Sequence, residues 1–358
     1  MGLPMTLAEV QDFTSWIKCL YGDPGLVFSS LLRAMILPSV GHELYVADFS
    51  KIEVAVLWWL ADNEPGLKIL RAGLDPYKYM ASANTGKDYA QIEDEGDERQ
   101  LGKAQVLGCG FGMGWRKFQQ SAFDMYRLKL TAKQSKDAVR AYRQANAGVP
   151  VLWEQYEANA LASVKTPGAL YKAGKCSFQV FKKFLWVTLP SGRRLAYREP
   201  QIAMRMRETQ VEQIKVKSRK TGEYIWRDIG DDEMLQSWAE SGHYDIQTIT
   251  RHYGPFETLE FCAVNSKTKK WGLERTWGGT LTENIAQAVA RDLMMQASVR
   301  LEKAGYKFLL SVHDEAITEK IIGEGSLKEF TMLMTRKPKW AGDMPVEAKA
   351  WRGPRYRK

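Results

Sequence analysis

Residues 43–53 read Glu-Leu-Tyr-Val-Ala-Asp-Phe-Ser-Lys-Ile-Glu, and they place a carboxylate between two structural elements. The apolar run before Asp48 predicts a buried strand that ends on this carboxylate. Apolar residues then continue densely over residues 52–60, which predicts a buried helix that ends near the polar turn at residues 62–66. At this point the chain therefore runs strand, acid, helix.

A second pair of carboxylates lies towards the other end of the chain. Residues 306–319 predict two short strands that meet at His313, Asp314 and Glu315. If Asp48 and Asp314 lay side by side, they would form an oxygen-rich site for Mg²⁺, which one or two carboxylates plus substrate phosphates usually hold. Taken alone, either segment is more often a solvated turn, because acidic residues favour turns through backbone hydrogen bonds.

The composition is that of a globular chain with a basic surface. Its 358 residues are 45% hydrophobic, which is enough to bury a core shared by two or three subdomains. The net charge of +9 makes a polyanion such as nucleic acid a plausible partner. Four scattered cysteines without a C-x-x-C pair argue against a zinc ribbon or a disulfide framework and fit a reducing compartment. No apolar run is long enough to span a bilayer, so we expect a cytoplasmic protein without a membrane partner.

A stripe of spaced residues follows the acidic cluster at 93–98, which suits the positive end of a helix. Arg99, Lys103, Leu107 and Phe111 are four apart, and on a helix they lie along one gently winding stripe. The two cations could grip a triphosphate, and the two apolar residues could stack on a base. The same pattern also fits a solvated helix face beside a core contact.

The rest of the chain gives coarser expectations. Residues 131–165 predict a strongly helical stretch, residues 184–197 predict a hairpin, and residues 281–303 predict an amphipathic helix. Residues 200–270 are polar, mixed in charge and weakly periodic, and we interpret them as an insertion of low definition.

Three segments resemble the motifs of family A DNA polymerases, and they occur in the family's order. Residues 48–53 (Asp-Phe-Ser-Lys-Ile-Glu) resemble motif A, residues 99–112 resemble motif B, and residues 312–315 (Val-His-Asp-Glu) resemble motif C. Residues 189–193 and 278–292 also resemble segments of the phage branch of this family. The resemblance covers nearly the whole chain.

The resemblance implies a two-metal phosphoryl-transfer site. Asp48 and Asp314 would bind two Mg²⁺ ions, for which Mn²⁺ could substitute, and the carbonyl of Phe49 would add a ligand. Glu315 would assist nearby. One ion would lower the pKa of the primer 3′-hydroxyl, and the other would neutralise charge on the triphosphate and the leaving pyrophosphate.

The resemblance also assigns residues to the nucleotide. Arg99 and Lys103 would hold the triphosphate of a dNTP, with Lys103 as the general acid. Glu53 matches the steric gate that disfavours a ribose 2′-hydroxyl, which argues for DNA synthesis over RNA synthesis. Leu107 and Phe111 would contact the nucleotide, but they replace the aromatic and tyrosyl residues usual in the family. The missing hydroxyl at Phe111 removes a hydrogen bond to the gate.

Primer–template DNA is the other expected partner. His313 would help to hold the primer end, and Gln287 would contact the minor-groove side of the new pair or the template strand. Arg193 and Arg194 are candidates for phosphate contacts, although each is by default a solvated surface residue.

The resemblance predicts an α/β right hand without its thumb. We expect palm at residues 1–70 and 276–358, around an antiparallel sheet, and mainly helical fingers at residues 71–275, including the polar insertion at about 200–270. Because only some forty residues precede motif A, we expect a separate polypeptide to carry the thumb and exonuclease domains of a split replication enzyme. Two alternatives stay open at this stage, a catalytically silent DNA-binding replication subunit and a single-subunit RNA polymerase.

Overall fold

A computed structural model describes residues 6–218, 220–230 and 233–357. The helices in chain order are α1 (Leu7–Tyr21), α2 (Pro24–Ala34), α3 (Ile52–Leu60), α4 (Glu64–Arg71), α5 (Pro76–Thr85), α6 (Asp97–Gly108), α7 (Trp115–Tyr126), α8 (Ala132–Ala145), α9 (Gly148–Lys165), α10 (Glu233–Glu240), α11 (Gly278–Lys303) and α12 (Leu327–Thr335). Short 3₁₀ turns lie at Tyr89–Gln91, Cys109–Phe111 and Lys339–Ala341.

The strands form two antiparallel sheets. In chain order they are β1 (His42–Phe49), β2 (Leu170–Ala173), β3 (Cys176–Phe181), β4 (Phe184–Thr188), β5 (Arg194–Lys217), β6 (Tyr224–Asp228), β7 (Ile246–Val264), β8 (Trp271–Thr276), β9 (Lys307–Val312), β10 (Glu315–Ile321) and β11 (Ala348–Gly353). The smaller sheet has the order β11-β1-β10-β9, and the larger has the order β2-β3-β4-β5-β7-β8, with β6 paired to β5. Helices combined with antiparallel sheets confirm the predicted α/β (α+β) class.

The chain divides into two compact units, residues 1–52 with 290–358, and residues 53–289. These bounds differ from those of the predicted palm, which extends to residue 70 and resumes at residue 276. The assignment of palm and fingers by sequence stays a prediction.

The first unit is built on the smaller sheet, whose strand β1 is buried on both faces. Leu44 and Val46 pack on one face with Ile317 and Tyr356. Tyr45 points the other way, because side chains alternate along a strand, and its ring lies 5.5 Å from that of Phe330 on α12. Burial on both faces explains why this strand reads as a continuous apolar run in the sequence.

A buried carboxylate ties β10 to the loop before β1. Glu319 accepts hydrogen bonds from the Ser39 amide at 2.7 Å and from the Lys307 ammonium at 2.7 Å. Burial raises the pKa of Glu319, but the hydrogen bonds from Lys307 and Ser39 outweigh burial and lower that pKa from 4.5 to about 2. Because the folded-state pKa is depressed, the carboxylate stabilises the fold above pH 4.5, and this contribution is lost as the pH falls towards 2.

We therefore expect Glu319→Gln to lower the free energy of unfolding at neutral pH by about 2 kcal/mol, the usual scale of charge-assisted hydrogen bonds. The difference from wild type should shrink between pH 4.5 and 2, where the wild-type carboxylate itself becomes protonated. Urea unfolding followed by circular dichroism at pH 7 and at acidic pH measures both values. An equal difference at both would contradict this account of Glu319.

The second unit combines helices α3 to α9 with the larger sheet. Its helices approach closely where a side chain is absent: a Cβ on Gly102 of α6 would lie 2.2 Å from the Tyr77 carbonyl oxygen of α5. The hairpin predicted at residues 184–197 is present as β4 and the start of β5. The helical stretch predicted at 131–165 is confirmed, and it consists of two helices, α8 and α9, with a break at Asn146 (φ −122°, ψ 48°). Pro150 explains the break, since it cannot donate to the carbonyl four residues earlier and is tolerated only in a first helical turn.

The stretch at 200–270 is not the poorly defined insertion that the sequence predicts. Strands β5 and β7 pair from Arg198–Cys262 to Ile214–Ile246 and form a long two-stranded arm. At its far end, Ile214 and Val216 pack with Ile229 and Leu235 in a small apolar core of their own. Most side chains along the arm are exposed on both faces, so the sequence lacks the polar–apolar alternation that marks a half-buried strand.

Candidate functional site

The first unit brings the predicted motif A and motif C carboxylates to neighbouring strands. Asp48 pairs in register with Glu315 of β10, and the Phe49 amide donates a hydrogen bond to the Asp314 carbonyl oxygen at 3.1 Å. Asp48 and Asp314 are both half-buried, whereas Glu315 is 3% exposed. The ends of β1 and β10 therefore place three carboxylates on adjoining backbone positions.

A two-residue turn presents the motif C residues. Val312 and Glu315 pair across β9 and β10, which leaves His313 and Asp314 as the turn between them. His313 has a φ of 54°, in the left-handed region that few residues other than glycine adopt, and its side chain is exposed. The turn thus holds Asp314 beside β1 and leaves the His313 ring accessible.

Tyr356 supports this group, and sequence reasoning did not identify it. Its hydroxyl donates a short hydrogen bond to a carboxylate oxygen of Glu315, and both side chains are buried. The two residues are 41 positions apart, so no local pattern indicates the contact. Glu315 is consequently held by the protein, and Asp48 and Asp314 are the more accessible carboxylates.

Lys349 is a further residue that sequence reasoning missed. It pairs in register with Asp48 from β11, on the side of β1 opposite to Glu315. Directly opposed residues on adjacent strands point to the same face of a sheet, so Lys349, Asp48 and Glu315 form a row across three strands. No group of three or more His, Cys, Asp or Glu side chains with metal-binding geometry occurs in the parts of the chain described above.

In the second unit, α6 carries the predicted cationic stripe. The Arg99 Nε donates a hydrogen bond to Asp75 Oδ2 at 2.7 Å, and the guanidinium lies 5.5 Å from the centre of the Tyr77 ring. Burial first, and then the charge of Asp75, raises the pKa of Tyr77 to about 12. Asp75 and a neutral Tyr77 therefore fix the orientation of Arg99, and neither was identified from the sequence.

Lys103 lies one helical turn further along α6. Its Nζ is 5.6 Å from the centre of the Tyr126 ring. Burial raises the pKa of Tyr126, so the phenol is neutral at pH 7 and does not neutralise the ammonium. Leu107 follows with 39% of its surface exposed. Phe111 is not on this helix as predicted, because the glycine-rich end of the segment tightens into the 3₁₀ turn Cys109–Phe111.

The remaining predicted residues of the second unit lie at two places. Glu53 is exposed in the first turn of α3. Arg193 donates through Nη2 to the Ala288 carbonyl oxygen at 2.8 Å, which sets the β4–β5 turn against α11 beside the exposed Gln287. Arg194 is exposed at the start of β5, where it pairs with Thr188.

The whole sequence was compared with those of known proteins. No protein-family model matches the sequence. A DNA polymerase of Bacillus phage SP02 is 30% identical over 344 residues, which cover 96% of this chain and 45% of that polymerase. The chain resembles part of a phage DNA polymerase. The resemblance to a family A-type polymerase fragment that the three motifs predict is thereby confirmed, and this chain spans about half the length of its curated relative.

A solved structure gives a weaker likeness. The POL domain of Pol1 from M. smegmatis, solved in complex with DNA primer-template and dNTP, has a TM-score of 0.49 and 17% identity over 90% of this chain and 41% of that one. Separately, none of the helices in the described ranges is both long enough and apolar enough to cross a membrane.

Proposed function

We propose that this chain is the palm-and-fingers part of a template-directed DNA polymerase that adds dNTPs to a primer 3′-hydroxyl. The observation that carries the proposal is the backbone hydrogen bond between the Phe49 amide and the Asp314 carbonyl, which brings the motif A and motif C segments together at one end of the sheet. The similarity to a phage polymerase over 96% of the chain supports it.

The donor set of the first unit fits a hard divalent cation. Asp48, Asp314 and the Phe49 carbonyl offer only oxygen atoms, which Mg²⁺ prefers, and Mn²⁺ accepts the same ligands. When bound, two such ions lower the pKa of the primer hydroxyl and neutralise charge on the triphosphate. Glu315, held by Tyr356, would add negative charge beside the ions and help to keep Asp48 and Asp314 in place.

The second unit supplies the residues proposed for the nucleotide. Arg99, oriented by Asp75, would bind triphosphate oxygens, and Lys103 would donate a proton to the leaving pyrophosphate. Leu107 and Phe111 would contact the base or sugar. Glu53 would exclude a ribose 2′-hydroxyl by steric clash, which favours dNTPs.

The DNA contacts in this proposal come from exposed side chains. His313 would contact the primer end, and Gln287 the minor-groove side of the new pair or the template. Arg194 would bind a phosphate, and Arg193 would do so while its link to the Ala288 carbonyl holds the β4–β5 turn.

A separate polypeptide carrying the thumb and exonuclease domains is the further proposed partner. Exposed apolar side chains on α1 and α2 support a protein contact, because apolar patches on a surface mark interaction sites. They are Phe13, Trp16, Leu20, Tyr21, Leu26, Phe28 and Leu32.

Extension of a labelled primer–template by the purified chain with Mg²⁺ at low salt tests the proposal. We expect incorporation of dNTPs but not NTPs, and we expect Glu53→Ala to narrow that preference by roughly tenfold, because the gate acts by a clash worth about 1.4 kcal/mol or more. A second arm adds a candidate thumb-bearing polypeptide, which should lengthen the products and make extension less sensitive to salt. No extension in either arm would favour a catalytically silent subunit, and equal use of NTPs would favour an RNA polymerase.

A further inference from the structure

The second unit contains a cleft of about 1020 Å³ between α8 and the β5–β7 arm, lined by cations and indole rings. None of the residues considered for the nucleotide or the metal ions lines it. The charged and aromatic side chains in its wall are Trp115, Lys136, Arg140, Arg143, Arg207 and Trp277. Among the described residues that line the cleft, none is Asp or Glu.

The cations of α8 form a regular row. Lys136, Arg140 and Arg143 are four and three residues apart, so they share one face of the helix and span about 10 Å along its axis. Val139, buried within the same stretch, anchors the helix so that the row faces the cleft. Arg140 pairs with Asp137 at 3.2 Å, but both side chains are about half exposed, and such pairs contribute little in water.

The β5–β7 arm contributes one further cation to the lining of the cleft. Arg207 is exposed on β5, where it pairs in register with Tyr253 of β7. The cleft therefore has positive charge from two different elements. Cations from two elements that line one concave cleft suit a polyanion that enters the cleft rather than one that lies on a flat surface.

The indole rings are held in fixed positions. A Cβ on Gly112 would lie 2.1 Å from the Trp277 ring, and one on Gly279 would lie 2.4 Å from it, so the absence of side chains there admits the ring. Trp153 packs edge-on against Trp277 at 6.0 Å. The Lys136 ammonium lies 5.2 Å from the centre of the Trp115 ring. Rings fixed before a ligand arrives lose little entropy when a base stacks on them.

We propose that this cleft binds single-stranded nucleic acid, with phosphates on Arg140, Arg143 and Arg207 and bases stacked on Trp115 and Trp277. Cations that follow a backbone, together with aromatic faces that accept any base, are the combination that single strands require. Duplex DNA does not offer its base faces to a ring, because they are stacked inside the helix. The inference rests on the proposed function in one respect: the strand would be the unpaired part of the template.

Binding of a fluorescein-labelled oligothymidine, followed by anisotropy over a range of salt concentrations, tests the proposal without catalysis. We expect the double variant Arg140→Ala, Arg143→Ala to weaken binding by about tenfold or more and to reduce the slope of log K against log salt by about 1.4, since each lost phosphate contact removes about 0.7. Trp115→Ala should also weaken binding about tenfold, whereas Trp115→Phe should retain most of it.

Matched controls separate the cleft from general charge and folding effects. Lys172→Ala, Lys267→Ala removes the same charge from exposed positions on other strands or turns of the second unit, and Trp271→Ala removes an exposed indole. The proposal is overturned if the control and cleft variants bind the oligonucleotide alike, or if the cleft variants lose duplex binding to the same extent. A chain that fails to extend primers but shows the expected binding losses would refute the polymerase proposal and leave the cleft assignment standing.

Discussion

Asp48→Asn and Asp314→Asn should each reduce the rate of primer extension by about a thousandfold or more. Each change removes a negative oxygen ligand from the proposed metal site, where charge stabilisation in the transition state is worth several kcal/mol. Since each 1.36 kcal/mol changes a rate about tenfold, a loss of about 4 kcal/mol corresponds to three powers of ten. Single-turnover extension with saturating dNTP measures the effect.

The intended perturbation is a loss of charge without a change of shape, because Asn keeps the size of Asp. The thermal unfolding midpoint of both variants should stay close to that of wild type, and the affinity for primer–template should change little. Asp124→Asn is the matched control, since Asp124 is exposed on α7 and accepts its hydrogen bond from the side chain of Gln120 on the same helix. Extension by either site variant at near the wild-type rate would remove that residue from the proposed site.

The double variant Asp48→Asn, Asp314→Asn tests whether the two carboxylates act together in one step. The Phe49 amide, next to Asp48 in the chain, donates a hydrogen bond to the Asp314 carbonyl, so the two residues are near neighbours and their effects should not add. If both serve the same ions, the double variant should be little slower than either single variant. Fully additive losses would indicate that the two carboxylates act in different steps.

The sequence predicts the centre of the first unit well because its local patterns and its long-range packing agree. The apolar run of β1 is buried on both faces, Asp48 lies at the end of this strand, and Asp314 lies in the turn between β9 and β10. The two-residue turn between β9 and β10 leaves the chain few other ways to pair these strands. The existence and ends of β1, α3, β9 and β10 therefore follow from periodicity and turn residues alone.

The contacts that complete the site could not be predicted in the same way. Tyr356 reaches Glu315 across 41 residues, and Asp75 reaches Arg99 across 24, so neither partner lies in a shared local motif. The β5–β7 arm was missed for a different reason. Its backbone pairs along most of its length while its side chains face solvent on both sides, and strand prediction depends on one buried face.

Those contacts also distinguish the candidate site residues by whether another side chain of the protein holds them in place. Glu315 and Arg99 are each held by a protein partner, so they are positioned groups whose replacement also disturbs their neighbours. Lys103 is different, because its ammonium lies over the neutral ring of Tyr126. A neutral ring leaves the charge of the ammonium in place, which makes Lys103 the better position for testing chemistry in the second unit.

Lys103→Ala should lower kcat for nucleotide addition by about a hundredfold or more, the usual scale for loss of a general acid. Lys103→Arg keeps a positive charge but places a guanidinium there, which does not release its proton in proteins. The arginine variant should therefore keep KM for dNTP near the wild-type value while kcat stays low. Pre-steady-state extension over a range of dNTP concentrations separates the two parameters.

Lys117→Ala is the control for this experiment, since it removes an exposed lysine from the neighbouring helix α7. If Lys103 served only to attract the triphosphate, Lys103→Arg would recover both parameters, because the charge is unchanged. Recovery of KM without kcat would instead locate the function of Lys103 in proton transfer. The first outcome assigns Lys103 to nucleotide binding and the second assigns it to proton transfer. Both require that the chain bind the nucleotide at α6.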